Sequence, residues 1–262
     1  MNGISILPRP VVWLLIAGLG SIGLAQDKPG TSSSSQDKEG NYVRRFSAGA
    51  TLSVLGIPML SGGSSTVQNS ATVGTEYDSN IQSKRLGYGL TGQVAVTDHF
   101  AVALGAYLRH LGYQLTTTIT TTTTSLANGS TTASTDTQET TRTRLLDIPV
   151  MVRWYNVDRH TPGPRWFAEG GAAFREIYGS ISTSISATNS TGTTTCCNTS
   201  PAKPAHRNAI GFLGGTGVQL IDPFGIRVVP EIRYIRWINP IFEAPSTHGG
   251  RNQVEAEITL SF

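Results

Sequence analysis

With 262 residues the chain has room for one or two domains and a sizeable core, and its formal net charge of +3 is modest. Only 14% of the residues are Asp, Glu, Lys or Arg, and 29 are glycine; an ordinary soluble protein is about 25% charged. No apolar run reaches the ~20 residues that a membrane-spanning helix requires.

The longest apolar run is VVWLLIAGLGSIGLA, positions 11–25, preceded by Arg9 and ending on Gly23-Leu24-Ala25. A short greasy stretch with a basic flank and small residues at its end predicts a secretory signal peptide over residues 1–25. A single membrane anchor is the alternative, but it needs a longer run, and no cysteine follows to make a lipoprotein anchor. Positions 26–41, QDKPGTSSSSQDKEGN, have nothing to bury and read as a flexible Ser-rich leader. Residues 42–262 make up the remaining unit.

From Tyr42 onward no helical period appears. Alternation at period two recurs in eight segments, which places successive side chains on opposite faces of strands. The first points Phe46, Ala48, Leu52 and Val54 one way and Arg45, Ser47 and Thr51 the other. The second sets Leu86, Tyr88, Leu90 and Val94 against Gly87, Gly89 and Gln93. In the third, Phe100, Val102 and Leu104 oppose Ala101, Tyr107 and Arg109. The fourth, LLDIPVMVRWY, divides into Leu146, Ile148, Val150, Val152 and Trp154 against Asp147, Met151 and Arg153. In the fifth, Trp166, Ala172 and Phe174 stand opposite Glu169 and Arg175. The sixth places Ile210, Phe212 and Leu220 against Gly215, Gly217 and Gln219. The seventh has Val228, Ile232 and Tyr234 opposite Arg227, Glu231 and Arg233. The last, RNQVEAEITLSF, alternates Val254, Ala256, Ile258, Leu260 and Phe262 with Gln253, Glu255 and Glu257. Short Asp-, Pro- and Gly-containing turns alternate with long Ser- and Thr-rich links, the pattern of an up-and-down barrel with short turns at one end and long loops at the other.

A soluble barrel would turn the apolar row inward around a greasy ligand; a membrane barrel turns it outward to lipid. Three features select the second. The polar row is rich in Gly, Ala, Ser and Thr, which suits a narrow interior. It also carries Arg45, Arg109, Arg153, Arg175 and Arg233 beside Asp147, Glu169, Glu231, Glu255 and Glu257, near balance for groups that neutralise one another in a closed space. Finally, Phe46, Trp154, Trp166 and Phe262 sit at one end of the apolar rows, as in an interfacial aromatic girdle. About ten residues at roughly 3.3 Å each, tilted near 40°, cover the ~25 Å of a lipid-facing band. The expected fold is all-β, an eight-stranded antiparallel up-and-down transmembrane β-barrel.

The signal peptide, the alternating strands, LDIPVMVRWY and the terminal EITLSF together resemble the small eight-stranded outer-membrane barrels of the OmpA-like and OmpX-like kind, over about 42–262. That resemblance implies residence in a bacterial outer membrane and contact with its lipid and lipopolysaccharide. It further implies recognition of a terminal strand signal, here Ile258, Leu260 and Phe262, by the barrel-assembly machinery. Members that bind peptidoglycan carry a soluble domain after the barrel; the chain ends with the barrel, so that role is not expected.

Eight strands enclose an interior that side chains can fill, so a general porin is not expected. Function then falls to the long loops, with an unknown extracellular ligand. TTTITTTTTSLANGSTTASTDTQETT either extends strands three and four as a protruding sheet or is a low-complexity spacer. Cys196 and Cys197 are adjacent in TTTCCNTS, where export makes a loop disulfide plausible and His206 is the one nearby metal-ligand candidate. The glycosylation-like triplets at Asn128, Asn189 and Asn198 are expected by chance in such loops. His110 falls on the lipid-facing row near the outer end with no adjacent serine, while His99, His160 and His248 fall in turns or loops, so no catalytic, cofactor or metal constellation emerges. Arg142 and Arg144, at the outer end of strand four, are placed to meet lipopolysaccharide phosphates or to be solvated. The expectation is a monomeric, non-enzymatic barrel without a nucleic-acid partner, serving envelope integrity or surface interaction. A lipid-modifying enzyme and a narrow small-solute pore are the alternatives.

Overall fold

Eight strands, each matching one alternating segment, form the wall: β1 (Phe46–Leu55), β2 (Leu86–Ala95), β3 (Phe100–Ser125), β4 (Gly129–Tyr155), β5 (Arg165–Asn189), β6 (Asn208–Ile221), β7 (Arg227–Trp237) and β8 (Asn252–Ser261). The computed structural model describes residues 45–125, 129–189, 192–196, 204–222, 225–244 and 246–262. The expected signal peptide and leader lie outside these residues. Each strand pairs antiparallel with its neighbours in sequence. Pairing of β1 with β8, from Gly49↔Ser261 to Leu55↔Glu255, closes the barrel and leaves its wall no free edge.

Two prolines mark local breaks in the wall. The β3–β4 register runs from Phe100↔Trp154 to Leu104↔Val150 and resumes at Tyr107↔Asp147. Pro149 stands in that gap and has no N–H to give the ladder. Pro230 lies in a similar gap between Gly217↔Glu231 and Leu220↔Val228. At the short-turn end, Gly225 adopts a φ of 82°, accessible to glycine, while the Asp222 carboxylate accepts a 2.8 Å bond from the Ile226 N–H.

β3, β4 and β5 have 26, 27 and 25 residues, more than twice what the lipid band needs. Their outer halves stay paired: β3 meets β4 out to Ser125↔Gly129, and β4 meets β5 out to Thr135↔Asn189. The strand Val73–Ile81 adds to β3 and is flanked by Ser64–Ser70, while Gly192–Cys196 adds to β5. The Thr-rich segment is therefore a ladder, part of a six-stranded sheet standing beyond the membrane. Cys196 ends the last of these strands; Cys197, and with it the expected disulfide, lies outside the described residues.

The outward row is apolar and exposed along every wall strand, including Leu52, Leu90, Val102, Val150, Phe212, Ile232 and Ile258. Such a continuous greasy surface is stable only against hydrocarbon. Phe46, Phe100, Trp154, Trp166 and Phe262 ring its short-turn end, with the two indoles edge to face at 5.7 Å.

Candidate functional site: the barrel interior and its outer mouth

Inward-pointing residues of the middle wall form a belt of ion pairs. Arg233 is fully buried; its Nε donates to Glu169 (2.7 Å), and it forms ion pairs with Glu231 (Nη2, 2.5 Å) and Glu257 (Nη1, 2.7 Å). Its Nη1 also donates to the Tyr107 hydroxyl, which in turn donates to Glu257. Arg153 bridges Glu169 (2.8 Å) and Glu231 (2.6 Å) and reaches Gln93 (3.0 Å) on β2. Glu231 and Glu257 are direct cross-strand partners, a like-charge pair that would repel without those guanidiniums between them. Toward the long-loop end, Asp147 accepts two bonds from Arg175 (2.6 and 2.7 Å) and one from Arg109 (3.0 Å), and Arg109 continues to Glu255.

Space for this belt comes from small inward residues. A Cβ on Gly105 would lie 2.6 Å from the Tyr107 ring, and one on Gly215 would lie 2.8 Å from the Glu169 carboxylate. Any side chain at either position displaces a group that holds the network.

The structure brings together Arg109, Asp147, Arg153, Glu169, Arg175, Glu231, Arg233, Glu255 and Glu257, all buried. Arg45 is a correction: it precedes β1 and is exposed, so it takes no part in the belt. The alternation that assigned it inward runs past Phe46 into a segment with no wall to enclose it. Four guanidiniums therefore meet five carboxylates, with neutral donors making up part of the set. Gln253, which single-residue alternation does not distinguish, accepts from Arg175 (2.7 Å) and from the Trp237 indole (3.0 Å) and donates to Glu255. The Arg175 guanidinium lies 4.0 Å from the Trp237 ring centre.

Above the belt the interior turns apolar. Leu111, Tyr113, Leu145, Ile177, Ile235 and Trp237 keep the inward parity, and Met59, Leu60, Ile241 and Phe242 pack down on them from two loops. A small sheet of Leu60–Gly62, Thr247–Gly249 and Glu243–Ala244 fastens those loops together. The sequence reading missed this cap, because its loop members are brought together only by the closed fold.

At the short-turn end, His99 bonds Asp158 (2.6 Å) and the Tyr155 carbonyl (3.0 Å), and Arg159 donates to Asp98 (2.7 Å). That hydrogen bond holds the exposed Asp98 carboxyl below its ordinary value of 3.8. His110 lies on the outward row between strands, opposite Arg144. His206 is exposed and its N–H meets the Ile241 carbonyl, and His248 belongs to the cap sheet. Ile258, Leu260 and Phe262 all point outward and are exposed at or near the aromatic end.

A family profile described as outer membrane protein beta-barrel domain matches residues 25–243. Among curated proteins, none matches the chain. Among solved structures, similarity is found to the outer membrane protein OprG from Pseudomonas aeruginosa, at 11% identity and a TM-score of 0.45, covering 86% of this chain and 98% of that one. It is also found to Ail, the attachment invasion locus protein of Yersinia pestis, crystallised with the heparin analogue sucrose octasulfate, at 8% identity and a TM-score of 0.31, covering 82% and 94%. LpxR from Salmonella typhimurium gives 9% identity and a TM-score of 0.27, covering 81% and 99%. With a profile spanning most of the chain laid over a closed eight-stranded wall, the protein belongs to the outer membrane protein beta-barrel domain family.

Proposed function

We propose that this chain is a non-enzymatic outer-membrane barrel with a closed interior, whose work is to hold long loops outside the cell for surface interaction or envelope integrity. The observation that carries this reading is a blocked bore beneath a six-stranded external sheet. Arg153, Arg233, Glu169, Glu231 and Glu257 are bonded to one another across the bore. Cavities of about 20 Å³ under the cap and about 10 Å³ below the belt have room for a water molecule at most. Against an enzyme stands the setting of His110, whose row neighbours are Arg144 and Tyr178 rather than a nucleophile. The outward Ile258, Leu260 and Phe262 fit the role of a terminal assembly signal, and a monomer fits a wall with no unpaired edge.

The deciding experiment is conductance of the purified, folded protein in planar bilayers, where no unitary steps are expected. Steady channels that persist with the folded barrel would overturn the closed-interior reading in favour of a pore. Lipopolysaccharide from cells producing and lacking the protein should carry the same acyl chains; loss or gain of an acyl chain would favour the enzyme.

A further inference from the structure

The two rims of the lipid-facing band differ in chemistry. At the short-turn rim the outward row ends in Phe46, Phe100, Trp154, Trp166 and Phe262. At the opposite rim, His110, Arg144 and Tyr178 form one cross-strand row on β3, β4 and β5. Arg142 follows on the same face of β4, opposite Gly112 and Ser182. A Cβ on Gly112 would be 3.7 Å from the Arg142 Cγ, so the Arg142 stem lies beside this glycine.

Inside the barrel every guanidinium of the belt is paired with a carboxylate. Arg142 and Arg144 are exposed, and among the described residues neither forms an ion pair. The one acid on the adjoining row, Glu176, stands opposite Leu146 and Asn208. Two alternate residues on one strand lie roughly 7 Å apart, close enough for both forks to grip a single phosphate or two phosphates of one headgroup. Tyr178, 56% exposed, adds an amphipathic ring at the same depth, as interfacial aromatics do. Directly below, Leu146 and Ile148 continue the outward row and supply a surface for acyl chains.

We propose that His110, Arg142, Arg144 and Tyr178 form a seat for the phosphate of an anionic outer-leaflet glycolipid, with its acyl chains against β4. The seat holds the barrel at a fixed depth and places a bound lipid beside the base of the external sheet. It does not depend on what that sheet recognises.

The test titrates the folded full chain in non-ionic detergent with lipopolysaccharide, with the same lipopolysaccharide after enzymatic dephosphorylation, and with inorganic phosphate. Each cation near an anionic surface contributes roughly five-fold, so the Arg142→Gln/Arg144→Gln double variant should bind intact lipopolysaccharide about thirty-fold more weakly. Dephosphorylation should weaken the wild type to a similar degree and leave the variant unaffected, while Arg236→Gln, a cation elsewhere on the outward surface, should bind as wild type. Equal binding by the double variant, or of dephosphorylated lipid by the wild type, would overturn the seat. Displacement of lipid by millimolar inorganic phosphate would overturn the assignment to a lipid headgroup, and equal loss in Arg236→Gln would reduce the site to diffuse charge. The dephosphorylation comparison needs no variant and stands even if the double substitution impairs folding.

Discussion

β3 runs through two regions of the molecule and behaves differently in each. Between Phe100 and Arg109 its outward residues are apolar while its inward row carries Ala101, Tyr107 and Arg109. Between Thr116 and Thr124 the alternation vanishes, and hydroxyls occupy both faces apart from Ile119. Backbone pairing is unbroken through the outer stretch. The contrast teaches that alternation records a difference between the two media that a strand separates, not the strand itself. In the wall one face meets hydrocarbon and the other a packed polar bore; in the sheet that difference is gone, and β-branched residues suffice to keep the backbone extended.

That comparison can be broken at several points. The largest expected effect is in the bore: Arg233→Ala leaves Glu169, Glu231 and Glu257 facing one another without their shared partner. Because Glu257 then loses the guanidinium it pairs with while Arg153 still holds Glu169 and Glu231, the substitution should cost about 3–5 kcal/mol in denaturant unfolding from lipid. Next comes Val150→Arg, on the outward face of the middle wall and 48% exposed, which should cost about 2–4 kcal/mol. The same new side chain on the outward parity of the sheet, Thr120→Arg, should stay within about 0.5 kcal/mol; a matching loss there would mean the outer sheet is also immersed or buried. The smallest effect concerns Asp98. A carboxyl with a depressed folded-state value stabilises at pH above its unfolded value, and that contribution is lost as pH falls through the lowered one. Asp98→Asn should therefore melt slightly below wild type at neutral pH, and the two should converge once the pH has fallen through the lowered value.

Much of the wall was legible because each segment alternates: Val150, Val152 and Trp154 against Met151 and Arg153 already define an outside and an inside. The belt was legible for the same reason, since Arg109, Asp147, Arg153 and Glu169 fall on one parity of known strands. Arg45 failed because parity has no meaning past the strand's end. The apolar upper bore was hidden because Leu111, Leu145 and Ile177 share the inward parity of the charges and make the alternation fade where the interior changes character. Met59, Leu60, Ile241 and Phe242 could not be joined from sequence, since the loops that carry them are almost two hundred residues apart. The external sheet was one of two readings of a Thr-rich tract; what fixes it is the partner strand Val73–Ile81, whose register on β3 only the folded chain reveals.

The account rests on the apolar row facing lipid, and site-directed spin labelling tests that most directly. In a background with Cys196 and Cys197 changed to serine, labels would be placed singly through Val102→Cys, Leu104→Cys, Val150→Cys and Val152→Cys. After reconstitution in bilayers all four should be relaxed by dissolved oxygen and shielded from a water-soluble nickel chelate. Relaxation of these labels by the nickel chelate, with little effect of oxygen, would put water on the row assigned to hydrocarbon and contradict the assignment of the wall.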